Sequence, residues 1–289
     1  MKTRFIINPI SGNQDHFNTI SLIKKYIDKK KIDFDIKITQ SRNHAKQLSK
    51  ECVERDYHLI IAVGGDGTVN EICSVIINTK VCLGVIPTGS GNGFAYHIGM
   101  KKDIKSSILQ INKSKEKLID TCLANNIPFV NVSGVGFDAH IAQLFSSFTK
   151  RGFYQYMKLV LQELSYKSNR YTIKYYNKER EINAVLIAFA NASQYGNNFS
   201  ISPFSNISDG LINFVVIHDI PKWKIPMLLF KIFQGKIHTS KYSETIITNT
   251  MEIHSNEKFM HLDGEVKKID GNIKIKTQEN SLKILIPNE

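Results

Sequence analysis

Leu59–Glu71 reads LIIAVGGDGTVNE: an apolar strand runs into three glycines around one carboxylate and then into a helix. Glycine lets backbone N–H groups approach an anion closely, and the start of the following helix is itself positive. The stretch therefore predicts a phosphate-binding turn. Asp66 could bind the magnesium that accompanies a nucleotide, or accept a proton from an attacking hydroxyl. An ordinary strand-to-helix turn with Asp66 as a solvated cap is the alternative.

A second glycine-rich turn, Pro87–Ala95 (PTGSGNGFA), follows the next apolar segment. It does not match the dinucleotide fingerprint, because Phe94 stands where the third glycine would be, and the chain contains no Walker loop. The H-R-D and D-F-G motifs of protein kinases are absent as well. Two glycine turns after neighbouring strands nevertheless favour a cradle for a polyphosphate.

The first 122 residues alternate strand and helix patterns. Apolar segments predict strands at Phe5–Asn8, Asp35–Thr39, Leu59–Val63 and Val81–Ile86. Helical periodicity predicts helices at Phe17–Lys30, His44–Arg55 and Val69–Ile77. This order is typical of a parallel, doubly wound α/β sheet with its ligand site at the carboxyl ends of the strands. Residues 1–122 are therefore predicted to form an α/β nucleotide domain, which residues 278–289 could complete.

Residues 123–277 are dominated by strand patterns bounded by turn residues. The predicted strands are Phe129–Val132, Tyr171–Tyr175, Ala184–Ala190, Leu211–Ile217, Thr245–Thr250, Met251–Ser255 and Ile273–Lys276. Two helices, Gly152–Tyr166 and Lys222–Gln234, are predicted between them. We expect a second domain that is a mostly antiparallel β-sandwich.

The charge balance is 38 basic against 26 acidic residues in 289, a net charge of +12. This excess favours anionic partners such as nucleotides or an anionic membrane surface, and the dispersed basic residues do not indicate a nucleic-acid arm. Four cysteines without C-x-x-C spacing argue against a zinc site or disulfides and suggest a cytoplasmic protein. No signal peptide and no membrane-spanning segment is expected.

Two segments, residues 145–158 and 223–233, mix aromatic side chains with lysine and arginine. Such segments could dock on an anionic bilayer or form a groove for acyl chains. Core-facing helices with solvated lysines are the alternative.

An ordered series of motifs resembles the bacterial diacylglycerol kinase and lipid kinase family, whose catalytic domain is shared with sphingosine kinases. The matching stretches are Ile6–Gly12, His44–Ala45, Gly64–Thr68, Pro87–Asn92, Ile119–Asp120, Phe129–Ala139, Tyr195–Gly196, Ser208–Ile212 and Leu262–Glu265. G-G-D-G turns also occur in NAD kinases and related phosphofructokinases, but the later Asp-Gly-Glu and Gly-Phe-Asp-Ala segments favour the lipid branch. The resemblance implies an NAD kinase/diacylglycerol kinase-like fold.

The resemblance also implies that ATP binds along the first domain. The nucleotide contacts carried over from the family are Asn8, Pro9, Ser11, Gly12, Thr39, Gly64, Gly65, Asp66, Gly67, Thr68, Asn70, Glu71, Thr88 and Gly89. For the pair Asn8–Pro9 and for Thr39, simple turn chemistry is the alternative.

Family members place their catalytic carboxylate in the Asp-Gly-Glu segment, here Asp263 and Glu265. We expect Glu265 to accept the proton of the lipid hydroxyl and Asp263 to hold magnesium or orient Glu265. A β-turn with acidic residues is the alternative.

The resemblance places a structural Mg²⁺ at Asp209, Leu211 and Asn206, through one carboxylate and backbone carbonyls. This chain departs from the family pattern at Asn213, where many relatives have an acid. It departs again at Gly93, where many diacylglycerol kinases carry aspartate; Gly-Ser-Gly-Asn is closer to sphingosine kinases.

Asp138 is the candidate contact to the head group of the acceptor, as an equivalent acid is in relatives that use sphingoid bases. A helix N-cap before Ala139–Phe145 is the alternative.

The expected function is a kinase that transfers the γ-phosphoryl group of ATP, with Mg²⁺, to a lipid hydroxyl, most simply that of diacylglycerol, within phospholipid biosynthesis. It would be cytoplasmic and peripherally associated with the membrane, without nucleic acid; its oligomeric state stays open, a homodimer being one alternative. A sphingoid-base kinase, a soluble-metabolite kinase such as NAD kinase, and a non-enzymatic basic protein that binds nucleotide or membrane are the other readings.

Overall fold

A computed structural model describes residues 1–12, 16–146, 148 and 153–288 of the chain. The chain divides into two units, Met1–Ile119 with Asn280–Glu289 and Asp120–Glu279. The sequence had placed the two boundaries at 122/123 and 277/278.

The N-terminal unit alternates strands and helices along the chain. Its elements are β1 (Lys2–Ile7), α1 (His16–Tyr26), β2 (Asp33–Ile38), α2 (His44–Glu54), β3 (Leu59–Gly64), α3 (Asp66–Ile76), β4 (Cys82–Pro87), α4 (Gly93–His97), α5 (Ile104–Ile111) and the first part of β5 (Lys115–Ala124). The last strand of the chain, β15 (Asn272–Ile286), ends in this unit.

Its sheet is parallel, in the order β2-β1-β3-β4-β15. Every residue of β3 and β4 is buried, so both faces of these strands are covered, as a doubly wound sheet requires. Helix α2 packs on α3, and α1 packs on α5. The predicted parallel α/β architecture is confirmed, whereas α4 and α5 were not predicted.

The C-terminal unit is built mainly from antiparallel strands. Its elements are β6 (Ile127–Phe129), β7 (Val132–Gly136), α6 (Phe137–Ser146), α7 (Phe153–Gln162), β8 (Asn169–Tyr175), β9 (Lys178–Ala190), β10 (Ile212–His218), a 3₁₀ turn (Lys222–Lys224), α8 (Ile225–Phe233), a second 3₁₀ turn (Ile237–Thr239), β11 (Ser243–Thr248), β12 (Thr250–Ser255), β13 (Phe259–Leu262) and β14 (Glu265–Lys268).

Strand β9 organises this unit, because its first half pairs with β8 and its second half pairs with both β7 and β10. β12 extends the β8 side, and β13 with β14 extends the β7 side. The core between the strands contains Phe129, Tyr171, Phe189 and Phe214, all fully buried. The predicted antiparallel β-sandwich is confirmed.

Several predicted elements differ in their bounds; the helix expected at Phe17–Lys30, for example, is α1, which ends at Tyr26. The strand expected at Phe129–Val132 is interrupted, because β6 ends at Phe129 and β7 begins at Val132. The amides of Val130 and Asn131 donate instead to a carboxylate more than a hundred residues away, that of Asp263. The helix expected at Gly152–Tyr166 is α7, which ends at Gln162; Gly152 lies outside the described residues.

The four cysteines are buried and unoxidised. Among the described helices, none combines the length and the apolar character that crossing a membrane requires.

We expect acidification from about pH 8 to about pH 5 to lower the free energy of unfolding by about 2 kcal/mol through His97 alone. His97 ends α4, and burial lowers the pKa of its imidazole to about 4. A histidine in the unfolded chain ionises near pH 6.5, so between these two values the unfolded state takes up the proton more readily and gains stability as the pH falls. Urea denaturation of the wild type and of His97→Gln, followed by circular dichroism at both pH values, measures the difference. An equal loss in both proteins would contradict the expectation.

Candidate functional site

The two glycine-rich turns of the N-terminal unit lie in direct contact. The amide of Thr88 donates to the carbonyl of Gly64 over 3.0 Å. A Cβ on Gly89 would lie 2.5 Å from the Cα of Gly65, and a Cβ on Gly64 would lie 2.5 Å from Thr68 Oγ1. No side chain fits at such distances, so packing alone requires glycine at Gly64 and Gly89.

The loop after β1 joins the same edge of the sheet. Asn8 Nδ2 donates to Thr68 Oγ1 over 3.1 Å, and Asn8 Oδ1 accepts the amide of Ile10 over 3.2 Å. Gly12 has φ +72°, and a Cβ on it would lie 2.1 Å from the carbonyl oxygen of Thr88. The structure therefore brings the predicted nucleotide residues of this loop against both glycine turns.

Two features of this edge are not explained by packing. A Cβ on Gly67, in the first turn of α3, would meet nothing within 4 Å. The buried hydroxyl of Thr88 has no hydrogen-bond partner among the described residues. Both features suit an anion, which would accept from the hydroxyl and from the amides at the start of α3.

Asp66 links the two turns. Its Oδ2 accepts the amide of Asn92 over 2.7 Å, and its Oδ1 accepts the amide of Phe94 over 3.3 Å. Asn92 in turn bonds both the amide and the carbonyl of Gly89 through its side chain. Asp66 therefore holds the start of α4 against the first turn. Its expected part in magnesium binding or proton transfer stays a prediction.

The other predicted nucleotide residues have varied surroundings. Thr39 is buried after β2, and its amide donates to Ile7 over 2.8 Å. The carboxylate of Glu71 accepts the amide of Asn43, the residue before α2, over 2.9 Å. Pro9 is half-buried beside Asn8, and Asn70 is half-buried on α3. Their contacts with ATP stay predictions.

Asp138, the predicted acceptor contact, lies buried in the C-terminal unit at the start of α6. Its Oδ2 accepts from the hydroxyl of Tyr195 over 2.9 Å and from Nε2 of His261 over 3.0 Å. Its Oδ1 lies 2.9 Å from the amide of Ala139. The carboxylate thus has three donors from the protein itself.

The partners of Asp138 are held in the donor state. His261 Nδ1 accepts the amide of Gly264 over 3.3 Å, so the ring proton of the neutral imidazole sits on Nε2 and points to Asp138. Burial, together with the nearby Asp138 carboxylate, raises the pKa of Tyr195 well above its ordinary value. Tyr195 therefore stays protonated and donates at neutral pH.

Asp263 closes the tight turn between β13 and β14. Asp263 and Gly264 have φ +49° and +85°, values typical of a two-residue hairpin turn of type I′. The Asp263 carboxylate accepts the amides of Val130 and Asn131, each over 2.9 Å, while its own amide donates to Ser133 Oγ over 3.1 Å. The carboxylate acts as a clamp between this turn and the segment that separates β6 from β7.

Glu265 has a different environment from Asp263. It is the first residue of β14 and is half-buried, and its Oε2 accepts from Lys267 Nζ over 3.0 Å. The two acids of the Asp-Gly-Glu segment thus differ in their contacts, since Asp263 accepts two backbone amides and Glu265 accepts from a lysine.

The predicted metal residues lie on the turn before β10. Asn206 Oδ1 accepts the amide of Ser208 over 3.1 Å, and Asp209 Oδ1 accepts the amide of Leu211 over 3.0 Å. Ser208 Oγ is buried and has no hydrogen-bond partner among the described residues. These hard oxygen donors fit Mg²⁺ in kind.

The charge of this turn is low for a metal site. Asn213, where the family resemblance led us to expect an acid, is buried, and its Nδ2 donates to Ser202 Oγ over 3.0 Å. Within the described part of the chain, no group of three or more His, Cys, Asp or Glu side chains is arranged to hold a metal ion. The structural Mg²⁺ stays a prediction.

Two members of the Asp138 cluster were missed in the sequence, namely His261 and Tyr195. A histidine inside the short apolar segment Phe259–Leu262, two residues before Asp263, was the available signal. Tyr195 did carry a signal, because Tyr195–Gly196 is one of the stretches that match the family, but no role was assigned to it in the loop that follows β9.

Comparisons with known proteins agree with this architecture. The model of the diacylglycerol kinase catalytic domain matches residues 2–124, and the model of the YegS C-terminal NAD kinase beta sandwich-like domain matches residues 131–285. The diacylglycerol kinase of Bacillus subtilis (strain 168) is 24% identical over 273 residues, which are 91% of this chain and 89% of that protein.

Two further relatives match this chain over very different shares of its length. The protein sll0036 of Synechocystis is 32% identical over 149 residues, so the match spans 48% of this chain and 34% of that protein. The crystal structure of a diacylglycerol kinase from Bacillus anthracis str. Sterne superposes with a TM-score of 0.76, covers 99% of this chain and 97% of its own, and is 20% identical. At that identity the likeness bears on the fold alone.

An α/β unit with two glycine turns, followed by an NAD kinase-like sandwich, defines a kinase of the phosphotransferase class. The chain belongs to the bacterial diacylglycerol kinase and lipid kinase family.

We expect Asp263→Asn to lower the free energy of unfolding by about 2 kcal/mol. The side-chain NH₂ of asparagine would face one of the two backbone N–H groups that now donate to the carboxylate, so that N–H would lose its acceptor. Glu265→Gln is the matched control two residues away and should cost less than about 1 kcal/mol, since it weakens an ion pair between two half-buried side chains. Urea denaturation followed by circular dichroism compares the two variants. Equal losses would contradict the assignment of Asp263 as a clamp.

Proposed function

We propose that this protein transfers the γ-phosphoryl group of ATP to the hydroxyl of a neutral glycerolipid, with diacylglycerol as the first choice of acceptor. The reaction would take place at a membrane surface, and its product would enter phospholipid biosynthesis. The anion-binding edge formed by the two glycine turns carries this proposal.

The nucleotide half of the proposal is supported by Gly67 and Thr88. Glycine in a helical turn is about 1 kcal/mol less stable than alanine, and at Gly67 no neighbouring atom requires it. A phosphate that approaches the start of α3 would require the absence of a side chain at Gly67. The same phosphate would satisfy the buried hydroxyl of Thr88, whose lack of a partner otherwise costs about 1–3 kcal/mol.

The neutral acceptor is supported by Asp138. An amine-bearing acceptor such as a sphingoid base needs a carboxylate as counter-ion, and the buried Asp138 carboxylate already accepts from Tyr195 and His261. Separating it from these donors would cost several hydrogen bonds to a charged group. A neutral glycerolipid has no amine and therefore needs no carboxylate as counter-ion.

Glu265 is the residue that we propose as general base. It would accept the proton of the lipid hydroxyl as the hydroxyl attacks the γ-phosphorus and the bond to the β-phosphate oxygen breaks. Asp263 would position Glu265 by fixing the turn, through the clamp on Val130 and Asn131. Mg²⁺ would neutralise charge on the phosphates of ATP, and the oxygens of the turn Asn206–Leu211 would hold a second, structural ion.

Gly67→Ala should raise the stability of the protein and lower its affinity for ATP. We expect the variant to be more stable than the wild type by about 0.4–1 kcal/mol, because alanine favours the helix and meets no neighbour. It should bind ATP at least about tenfold more weakly, since its methyl group would occupy the approach of the phosphates. Thermal unfolding of the free protein and calorimetric titration with MgATP measure the two effects.

Ser74→Ala is the matched control on the same helix. Its hydroxyl only bonds the carbonyl of Glu71 in the preceding turn. We expect unchanged affinity for MgATP. A Gly67→Ala variant that binds MgATP as tightly as Ser74→Ala would refute the proposed phosphate position.

The acceptor is identified with γ-labelled ATP, magnesium and a panel of diacylglycerol, monoacylglycerol, sphingosine and NAD, the lipids being presented in mixed micelles. We expect label in diacylglycerol or another neutral glycerolipid, and a loss of at least about a hundredfold in Glu265→Gln, the range that a general base contributes. Label in sphingosine or NAD alone, or activity unchanged in Glu265→Gln, would overturn the proposal.

A further inference from the structure

Helix α8 and the 3₁₀ turn before it expose a continuous apolar face in the C-terminal unit. Trp223 is 77% exposed, Phe230 60%, Phe233 51% and Met227 48%. Positions 223, 227 and 230 follow the i, i+4, i+7 spacing that places side chains on one side of a helix. We name these four residues the α8 face.

The opposite side of α8 accounts for the folding of the helix. Leu228 and Ile232 are buried in the core cluster that also contains Val215, Ile217 and Ile237. Leu229 packs beside Leu159 and Val160 of α7. The helix is therefore apolar around its circumference, although only one side of it is buried. The α8 face is not needed to attach α8 to its unit.

The chain around the α8 face is purely basic. Residues 220–243 contain five lysines, Lys222, Lys224, Lys231, Lys236 and Lys241, and no aspartate or glutamate. Lys222, Lys236 and Lys241 are exposed. The Nζ atom of Lys224 lies 4.6 Å from the Trp223 ring centre and 5.6 Å from that of Tyr242.

We propose that the α8 face and its lysines form a docking surface for an anionic membrane. Tryptophan and phenylalanine insert at the boundary between head groups and acyl chains, while lysines beside them reach the phosphates. Each lysine near an anionic bilayer strengthens binding by about fivefold. The apolar side chains of the α8 face suit the acyl chains of a bilayer, and the lysines of residues 220–243, between Asp219 and Glu244, suit its phosphates.

The same charges disfavour a second copy of this chain as the occupant. A two-fold contact would place the α8 face against itself and bring ten lysines together without an acid from this segment. Like charges facing each other across an interface oppose association. An anionic bilayer removes that repulsion.

The inference extends the proposed function, because a kinase for a bilayer lipid must reach the bilayer, but vesicle binding can be measured without catalysis. Trp223 is the only tryptophan in the chain, so its fluorescence reports directly on the α8 face. With vesicles of phosphatidylcholine and phosphatidylglycerol we expect a blue shift of its emission, and quenching by lipids brominated on their acyl chains. Vesicles of phosphatidylcholine alone, or high salt, should weaken both signals.

The apolar contribution is tested with Met227→Ser/Phe230→Ser, which keeps Trp223 as reporter. We expect its binding to phosphatidylglycerol vesicles, measured by sedimentation, to fall at least about tenfold. Tyr176→Ser, at an equally exposed aromatic residue in the turn between β8 and β9, is the control and should bind like the wild type.

The basic contribution is tested with Lys222→Glu/Lys236→Glu against Lys178→Glu/Lys276→Glu, two exposed lysines on strands of the same unit. The first pair should lose at least about twenty-five-fold in affinity, fivefold for each lysine. The second pair should lose much less. Equal losses would indicate a general charge effect and overturn the docking surface.

Two further outcomes would refute the inference. If the wild type ignores anionic vesicles, and light scattering shows a dimer that Met227→Ser/Phe230→Ser dissociates, the face joins two copies of the chain. If this variant loses phosphorylation of a dispersed short-chain diacylglycerol while it still binds vesicles, the face belongs to the acceptor site. Vesicle binding that depends on the α8 face would support the inference even if the panel of acceptors showed no kinase activity.

Discussion

The carboxylate of Asp66 is the constraint on which the N-terminal site depends. It accepts the amides of Asn92 and Phe94, which open α4 and would otherwise have no acceptor so near the glycine turns. By holding the start of α4, it draws the second turn onto the first until Gly89 touches Gly65 with no room for a side chain. The burial of the Thr88 hydroxyl follows from this close approach. The edge of the sheet that we propose as an anion site is thus held together by the Asp66 carboxylate.

The C-terminal unit uses carboxylates in the same way. The Asp263 carboxylate accepts the amides of Val130 and Asn131, the two residues that separate β6 from β7. The Asp138 carboxylate, at the start of α6, accepts from Tyr195 and His261. His261 joins the two arrangements, since its ring bonds Asp138 through Nε2 and the amide of Gly264 through Nδ1. The turn that precedes Glu265 is therefore fixed from both sides. Such a network can hold the turn before Glu265 in one conformation, while the carboxylates of Asp138 and Asp263 accept hydrogen bonds within the network.

The parts of this structure that were predictable from sequence are those determined by short-range pattern. Strands β3 and β4 are continuous apolar segments because both of their faces are buried, and the glycine turns stand out because no other residue fits there. Helix α4 was missed because it has five residues and begins at a glycine, and a distant carboxylate fixes its start. The strand expected at Phe129–Val132 was wrong for a related reason, since its interrupting amides find their acceptor 133 and 132 residues further on. The sequence drew attention to Asp66, Asp138 and Asp263, but the donors from which these acids accept are visible only in three dimensions.

Two independent observations, the hydrogen-bonded Asp138 carboxylate and the exposed α8 face, favour the same kind of proposed substrate. We infer that the Asp138 carboxylate, which already accepts from Tyr195 and His261, is a poor counter-ion for an amine, so the proposed acceptor would be recognised by shape and apolar contact. Such an acceptor is itself a bilayer component, and a protein that uses it gains from a surface that partitions into the bilayer. The α8 face supplies apolar area beyond what attaches the helix to its unit, because Leu228 and Ile232 already anchor it. Exposed apolar area of this kind is costly in water and is retained where something outside the chain covers it.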